Sequence, residues 1–553
     1  MTKAIPGFIR LPAVGLQSAR RLAAAVALLV ALALAAAGPA PAAAAGISDF
    51  RFGVVEAYAA PAAAWEMGAG WERITFRWNE IQPSGPDEWK VAPLSDDALG
   101  LELAYGRQIV GLLSNTPDWA TDWGRGAGVP QGLYLPVDHP SNLWAGFVRS
   151  IVTRYAGRVD HWTIWNEPDI PSSPFMTWGG SVGDFAQMLR VAYRVAKDAS
   201  PSAVIHLPGV SHYWNENWFG DLLDTLLADP QAEANGYYFD IATLHIYFRP
   251  EAVYELTAAY YASMHERGIS KPIWIAEANA PPSQDPSWPV ANPRFNVTLQ
   301  DQASYVIQAF SLAIAAGAGR IAVYNMIDDD SDLTANPEPY GLVRLDGTRR
   351  PAFAAFQAAA AHLSGFRGGA WERRDDISLV TIDRGWRTTT VVWARTTEPQ
   401  QAIVPARAPR ALRVDSRGAA TYIHPERGYY FIDLAGANCW PECLVGGPPV
   451  MLVEEAPTSA ATAPAPSSPT PGPTEAPATP TAEPTPMTPV LPTPTPTQTP
   501  PLTPEATSEA PASPEPRRTA ASQLWLLTGA LGAVIALSAW LGGRRMPTDD
   551  EGR

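Results

Sequence analysis

From Phe50 to about Leu363, short apolar runs alternate with longer amphipathic stretches. The runs Phe52–Glu56, Arg73–Arg77, Gln108–Leu113, His161–Trp165, Val204–Leu207, Ile241–Ile246, Ile273–Ala276 and Arg320–Asn325 predict strands. They are short and nearly unbroken, as strands buried on both faces are. Helical spacing fills the gaps. Leu143, Phe147, Val148, Ile151, Val152 and Tyr155 share one face, with Ser141 as the expected N-cap. Further helices are predicted over Asp184–Asp198, Glu251–Glu266, Leu299–Ala316 and, opened by Pro351, Ala352–His362. Eight strand–helix units predict an α/β chain with a (β/α)8 (TIM) barrel over 46–365. A doubly wound sheet is the rival, but no glycine-rich phosphate turn follows the first strand.

After Leu363 the pattern changes. Ser378–Ile382, Thr388–Arg395, Ala402–Val404, Ala411–Val414, Tyr429–Leu434 and Val450–Val453 are strand-like, with no helical stretch between them. A small all-β, sandwich-like domain is expected over 366–455, bracing the barrel or binding carbohydrate. Residues 456–519 form a Pro/Thr-rich linker: Pro457–Pro516 alone carries 20 of the 56 prolines and 14 threonines. Such a segment has too little apolar surface to fold and favours extended polyproline II.

The two ends predict the compartment. Arg10, Arg20 and Arg21 precede an apolar run from Leu22 to Ala37 and the small residues Ala42–Ala45, the pattern of a signal peptide over 1–45. Residues 520–543 contain no charge and are long enough to span a bilayer, with Trp525 and Trp540 near the two interfaces. Arg544 and Arg545 then place the tail 544–553 in the cytoplasm. The expected arrangement is an exported module, monomeric, tethered to the cell membrane by a single span through the lipid bilayer. Forty Lys and Arg against 55 Asp and Glu give a net charge of −15, which excludes an electrostatic nucleic-acid binder. Outside the cytoplasm, Cys439 and Cys443, the two cysteines of the chain, are expected to pair in a local disulfide.

Candidate chemistry sits where barrel catalysis occurs, at the C-terminal ends of the strands. Strand two ends in Arg77, strand three leads to Asn115 and Trp119, and strand four leads to Asn166 and Glu167. Strand six offers His245 and Tyr247, strand seven Glu277 and strand eight Tyr324. Two carboxyls whose surroundings separate their pKa values are what cleavage of a glycosidic bond requires, one as acid and one as nucleophile. Fourteen of the 20 tryptophans fall in the barrel region, and aromatic rings stack on sugar faces. Asp328, Asp329, Asp330 and Asp332 lack the alternation and glycine of a calcium loop, so a solvated acidic loop, or one with sugar hydrogen bonds, is expected there. No metal site and no cofactor is expected.

Trp165-Asn166-Glu167-Pro168 after strand four, with Ile275-Ala276-Glu277 after strand seven, resembles the retaining glycoside hydrolases of clan A, with cellulase-like family 5 and family 39 as its models. The resemblance extends over 48–365 and takes in Arg77, His245-Ile246-Tyr247, Gly341-Leu342-Val343 and Pro351-Ala352-Phe353. It implies Glu167 as general acid/base, Glu277 as nucleophile, and Asn166 on a sugar hydroxyl. Arg77 and Tyr247 would orient Glu277, and His245 would line the subsite. The family often carries a tryptophan platform after strand eight, where this chain has Tyr324; Asp160 and Thr163 also depart from the family 39 pattern. The implied activity is hydrolysis of β-linked poly- or oligosaccharides, with transglycosylation, or a non-catalytic carbohydrate-binding surface protein, as alternatives.

Overall fold

The computed structural model describes residues 46–455, apart from 125, 172–175, 294, 329–337 and 440–441. The expected signal peptide, linker, membrane span and tail lie outside the described residues, as do Asp329, Asp330 and Asp332. Among the described residues no helix is long and apolar enough to cross a membrane.

Eight parallel strands close a barrel in sequence order: β1 (Phe52–Val54), β2 (Trp71–Arg77), β3 (Gln108–Ser114), β4 (His161–Ile164), β5 (Val204–Val210), β6 (Ile241–Tyr247), β7 (Ile273–Asn279) and β8 (Arg320–Val323). Pairing of β1 with β8 completes the ring. Every residue of β6 and β7 is buried, with barrel interior on one side and helices on the other. That double burial is why these strands read as continuous apolar runs.

Around them run α1 (Pro61–Met67), α2 (Trp78–Ile81), α3 (Asp96–Ala104), α4 (Leu143–Tyr155), α5 (Val182–Ala199), α6 (Trp218–Leu227), α7 (Pro250–Glu266), α8 (Leu299–Ala315) and α9 (Pro351–Leu363). Ser181 with Asp184, and Thr298 with Asp301, form reciprocal capping boxes that fix where α5 and α8 begin. The cap of α4 is Asn142, whose side chain accepts the N–H of Ala145 at 3.1 Å, and not the expected Ser141 one residue earlier. Strand bounds also shift where function is concentrated. β7 runs on to Asn279, so Glu277 lies within it, whereas β4 stops at Ile164 and leaves Glu167 beyond its end. Register shifts between β6 and β7 bring His245 opposite Glu277; such irregularities re-aim side chains beside active sites.

The C-terminal part is a six-stranded antiparallel sheet and a two-stranded ribbon. Its strands are β9 (Gly368–Arg373), β10 (Ile377–Asp383), β11 (Arg387–Ala394), β12 (Gln400–Pro405), β13 (Ala411–Val414), β14 (Ala420–Ile423), β15 (Tyr429–Leu434) and β16 (Val450–Glu455). The sheet order is β14-β13-β16-β11-β10-β9, and β12 pairs with β15. Strand alternation gives the sheet two apolar faces. Val380, Ile382, Val391, Trp393, Met451 and Val453 join the barrel's core, while Ile377, Leu379, Val392, Val450 and Leu452 pack on the ribbon with Ala402, Val404, Tyr430 and Ile432. The sheet covers the outer side of α8, which is buried at every position from Asp301 to Ile314. Glu251 of α7 is held by Arg395 at 2.7 Å and Arg373 at 3.1 Å from the sheet. β9, with its two glycines, and β14, with its exposed positions, carried no apolar run in the sequence. Cys439 and Cys443 are joined in a disulfide.

Candidate active site

The barrel floor is closed by side chains. Trp274 meets Trp71 at 5.5 Å, His161 at 5.2 Å and His206 at 4.8 Å between ring centroids, and Nδ1 of His161 lies 2.9 Å from Nε2 of His206. Burial pushes His161 down to about 4 and His206 well below the usual imidazole value, so this layer is neutral packing. Gly53 has no Cβ because the indole of Trp71 fills that space.

Above the floor, Arg73, His245, Glu277, Glu167 and Tyr247 are brought together, all of them buried. The Arg73 guanidinium donates to Oε1 of Glu277 and the Tyr247 hydroxyl donates to Oε2. Arg73 is the partner that the sequence assigned to Arg77. Both residues point inward from β2, but Arg77 sits two pleat repeats higher, at the rim, and pairs with Glu80 at 3.5 Å. The clue for Arg73 is a charge at an inward position in the middle of a buried strand.

The His245 ring bridges the two carboxyls. Its Nε2 lies 3.1 Å from Nη1 of Arg73, and its Nδ1 lies 2.8 Å from Oε1 of Glu167 and 3.5 Å from Oε2 of Glu277. A guanidinium has only donors, so Nε2 must accept, and the ring proton stands on Nδ1 and is donated to Glu167. Burial, with the Arg73 charge, lowers the His245 pKa to about 4 against the pull of Glu277, and the ring is neutral above that. Gly209 on β5 makes the room: a Cβ there would stand 1.8 Å from Nε2.

The two carboxyls are driven apart. For Glu167, burial first, then the charges of Glu277 and Asp169, raise the pKa well above the ordinary value. For Glu277, burial is outweighed by His245, the Arg73 charge and the hydrogen bonds from Tyr247 and Arg73, and the pKa is lowered. With His245 neutral, Arg73 is the standing positive charge. Oε2 of Glu167 is buried with no hydrogen-bond partner among the described residues. The proton of a neutral Glu167 therefore belongs on Oε2, since Oε1 accepts from His245. One ligand atom from each of Glu167, His245 and Glu277 falls within 4.8 Å of the others, a spacing a cation could bridge. Arg73 fixes the proton of His245 on the nitrogen such an ion would need, so the trio as arranged does not fit a metal.

Backbone geometry presents the acid. Trp165 and Glu167 adopt left-handed φ of 75° and 43°, a conformation that costs a non-glycine residue about 1–2 kcal/mol. The segment is held by the Glu167 N–H on the Gly209 carbonyl at 3.0 Å. Thr177 Oγ1 also reaches the carbonyls of Asn166 at 2.7 Å and Glu167 at 2.8 Å. Asp169 accepts from the Ser211 hydroxyl at 2.7 Å and the His212 N–H at 2.9 Å, tying the loops after β4 and β5 together. Gly209, Thr177 and Asp169 have no signature in a single sequence.

The remaining predicted residues have other partners. Asn166 is half-buried with Oδ1 unpartnered among the described residues. Asn115 turns the chain after β3 at φ 64°, its side-chain oxygen accepting from Ser114. Trp119 uses its indole N–H on the Gln82 carbonyl at 2.7 Å and packs edge-on against Trp78. Tyr324 is packed edge-on against Tyr247 and Tyr340 and presents no open sugar platform. Asp328, expected in a solvated loop, is buried and bound by Arg350 at 2.7 Å.

Among solved structures the chain is similar to a family 39 glycoside hydrolase from the gut symbiont Bacteroides cellulosilyticus WH2, with 14% identity, a TM-score of 0.56, and 73% of this chain and 81% of that one covered. It also matches a glucosidase from Croceicoccus marinus (14% identity, TM-score 0.49, 74% and 97% covered) and a monomeric β-xylosidase from Caulobacter crescentus CB15 (15%, 0.48, 75% and 98%). At such identities the likeness to the first is one of fold. No family model and no curated protein sequence matches the chain.

Proposed function

We propose that the protein is a retaining glycoside hydrolase acting on β-linked poly- or oligosaccharides. One observation carries the reading: two buried carboxyls with ligand atoms within 4.8 Å of each other are held in opposite protonation states by different neighbours. Retaining enzymes hold the pair about 5–5.5 Å apart and inverting ones about 6.5–9.5 Å. A binding protein has no use for such a pair.

In the first step, an ionised oxygen of Glu277 attacks the anomeric carbon while the bond to the leaving oxygen breaks. Glu167 passes the proton of Oε2 to that oxygen. In the second, Glu167 takes a proton from water, the water oxygen bonds to the anomeric carbon, and the glycosyl–Glu277 bond breaks. Arg73 and Tyr247 stabilise Glu277 as a carboxylate, and so favour it as a leaving group. His245 holds Oε1 of Glu167 so that Oε2 faces the bond to be cleaved.

The fold of a family 39 glycoside hydrolase supports this reading, as do the motifs after strands four and seven. We place the module outside the cell on a membrane anchor, on the strength of the apolar segments at 22–37 and 520–543. The test is hydrolysis of activated aryl β-glycosides by wild type and Glu277→Ala. Wild-type turnover is expected to vanish in the variant and to return in part with azide, giving a glycosyl azide of inverted configuration. Equal rates for the two proteins on every sugar would sink the reading.

A further inference from the structure

Trp123, in the loop after β3, is more than half exposed at 52%. The other tryptophan with such exposure among the described residues, Trp386, lies far along the chain in the hairpin between β10 and β11. Exposing an indole forgoes apolar burial, so a fixed and exposed one calls for a reason. Trp123 is fixed. Its benzenoid ring lies on Gly179, where a Cβ would stand 1.8 Å from the ring, and Gly179 donates its N–H to the Ala127 carbonyl at 2.8 Å. The loop that carries it is pinned to the end of β3 by the Thr116 N–H on the Gly126 carbonyl at 3.0 Å and the Thr116 hydroxyl on the Gly128 carbonyl at 2.7 Å. The indole N–H has no partner among the described residues.

The position relative to the acid gives the platform a role. Gly179 is two residues from Thr177, whose hydroxyl is bonded to the backbone of Glu167 itself, and whose carbonyl accepts the indole N–H of Trp165 at 2.9 Å. Trp123 thus packs on the segment that follows the acid/base in the chain and is bonded to its backbone. In a double displacement the acid lies on the side of the departing group. Resting on the hydrolase reading above, we propose that Trp123 is the stacking platform for the leaving sugar, the first residue on the reducing-end side of the cleaved bond. The ligand class is a β-linked pyranose with an apolar face, and the free indole N–H adds one donor for a hydroxyl. A flat, preorganised ring binds such a face with little entropy to lose.

The experiment pairs substrates that differ only in the leaving group. Mono- and disaccharyl β-fluorides of glucose, xylose, galactose and mannose, whose leaving group is one atom, are compared with β-1,4-linked oligosaccharides bearing the same glycone. Trp123→Ala is expected to lose about tenfold more kcat/KM on the oligosaccharide than on its fluoride, chiefly through KM, and Trp123→Phe to recover most of the difference. Equal losses on both substrates would mark Trp123 as structural and overturn the proposal, as would no loss on the oligosaccharide. A wild type that turns over no fluoride in the panel would overturn the hydrolase reading itself, and this proposal with it.

Discussion

Gly209 and His245 share one space: the ring of His245 stands where a methyl on residue 209 would be, 1.8 Å from Nε2. Gly209→Ala is expected to push the ring off Arg73 and Glu167 while the apolar core stays intact. Turnover of aryl β-glycosides should fall by about 100-fold or more, as on losing a preorganised hydrogen bond at the reacting centre, with Tm lowered by only a few degrees. A fully active variant would show that the ring is not needed where it stands.

Arg73 and Arg77 separate two assignments of one role. Arg73→Lys should keep a charge but lose the fork that reaches both Glu277 and His245, and kcat is expected to drop about 100-fold. Arg77→Lys should cost less than about threefold, because its partner is a half-exposed Glu80. The reverse order in steady-state kinetics would restore Arg77 to the site.

The pKa directions predict a bell-shaped profile. Activity needs Glu277 ionised, which holds above its lowered pKa, and Glu167 protonated, which holds below its raised one. The acid limb should fall below the ordinary carboxylate range and the alkaline limb well above it, both belonging to the coupled pair. Asp169 is one source of the rise on Glu167. Asp169→Asn removes that negative charge, so Glu167 gives up its proton sooner. The alkaline limb of kcat/KM against pH should therefore move to lower pH while the acid limb stays. An alkaline limb that does not move would show that burial and the Glu277 charge set Glu167 without Asp169.

Stability on the same face depends on Arg350, a fully buried guanidinium that pairs with Asp285 at 2.8 Å and Asp328 at 2.7 Å. It joins the chain after β7 to that after β8. Arg350→Ala would strand the buried Asp328, since Asp285 keeps Arg344 at 2.7 Å, at a cost of about 3–5 kcal/mol. Denaturant unfolding that shows a loss below about 1 kcal/mol would mean that water replaces the guanidinium.

Much of this was legible from the chain alone. The eight barrel strands stood out because double burial makes each an apolar run, and Glu167 and Glu277 because both lie at or near strand ends. What escaped depends on depth along a strand and on neighbours distant in sequence. Arg73 shares a face of β2 with Arg77 and lies two pleat repeats deeper, a difference that matters once β7 has been placed across the barrel. Gly209 is significant through the ring of His245, and Thr177 through carbonyls ten and eleven residues earlier. Residue type and strand-end placement suggest substrate contact for Trp119 and Tyr324, and both pack edge-on against neighbouring aromatics. Trp123, four residues beyond Trp119, keeps its face open.

The six-stranded sheet gives one face to the barrel and the other to its ribbon, and α8 lies between sheet and barrel, buried at every position from Asp301 to Ile314. A barrel cut free of the sheet would therefore bare a helix that is buried from Asp301 to Ile314, so truncation at the end of α9 is expected to leave insoluble protein rather than a smaller folded barrel.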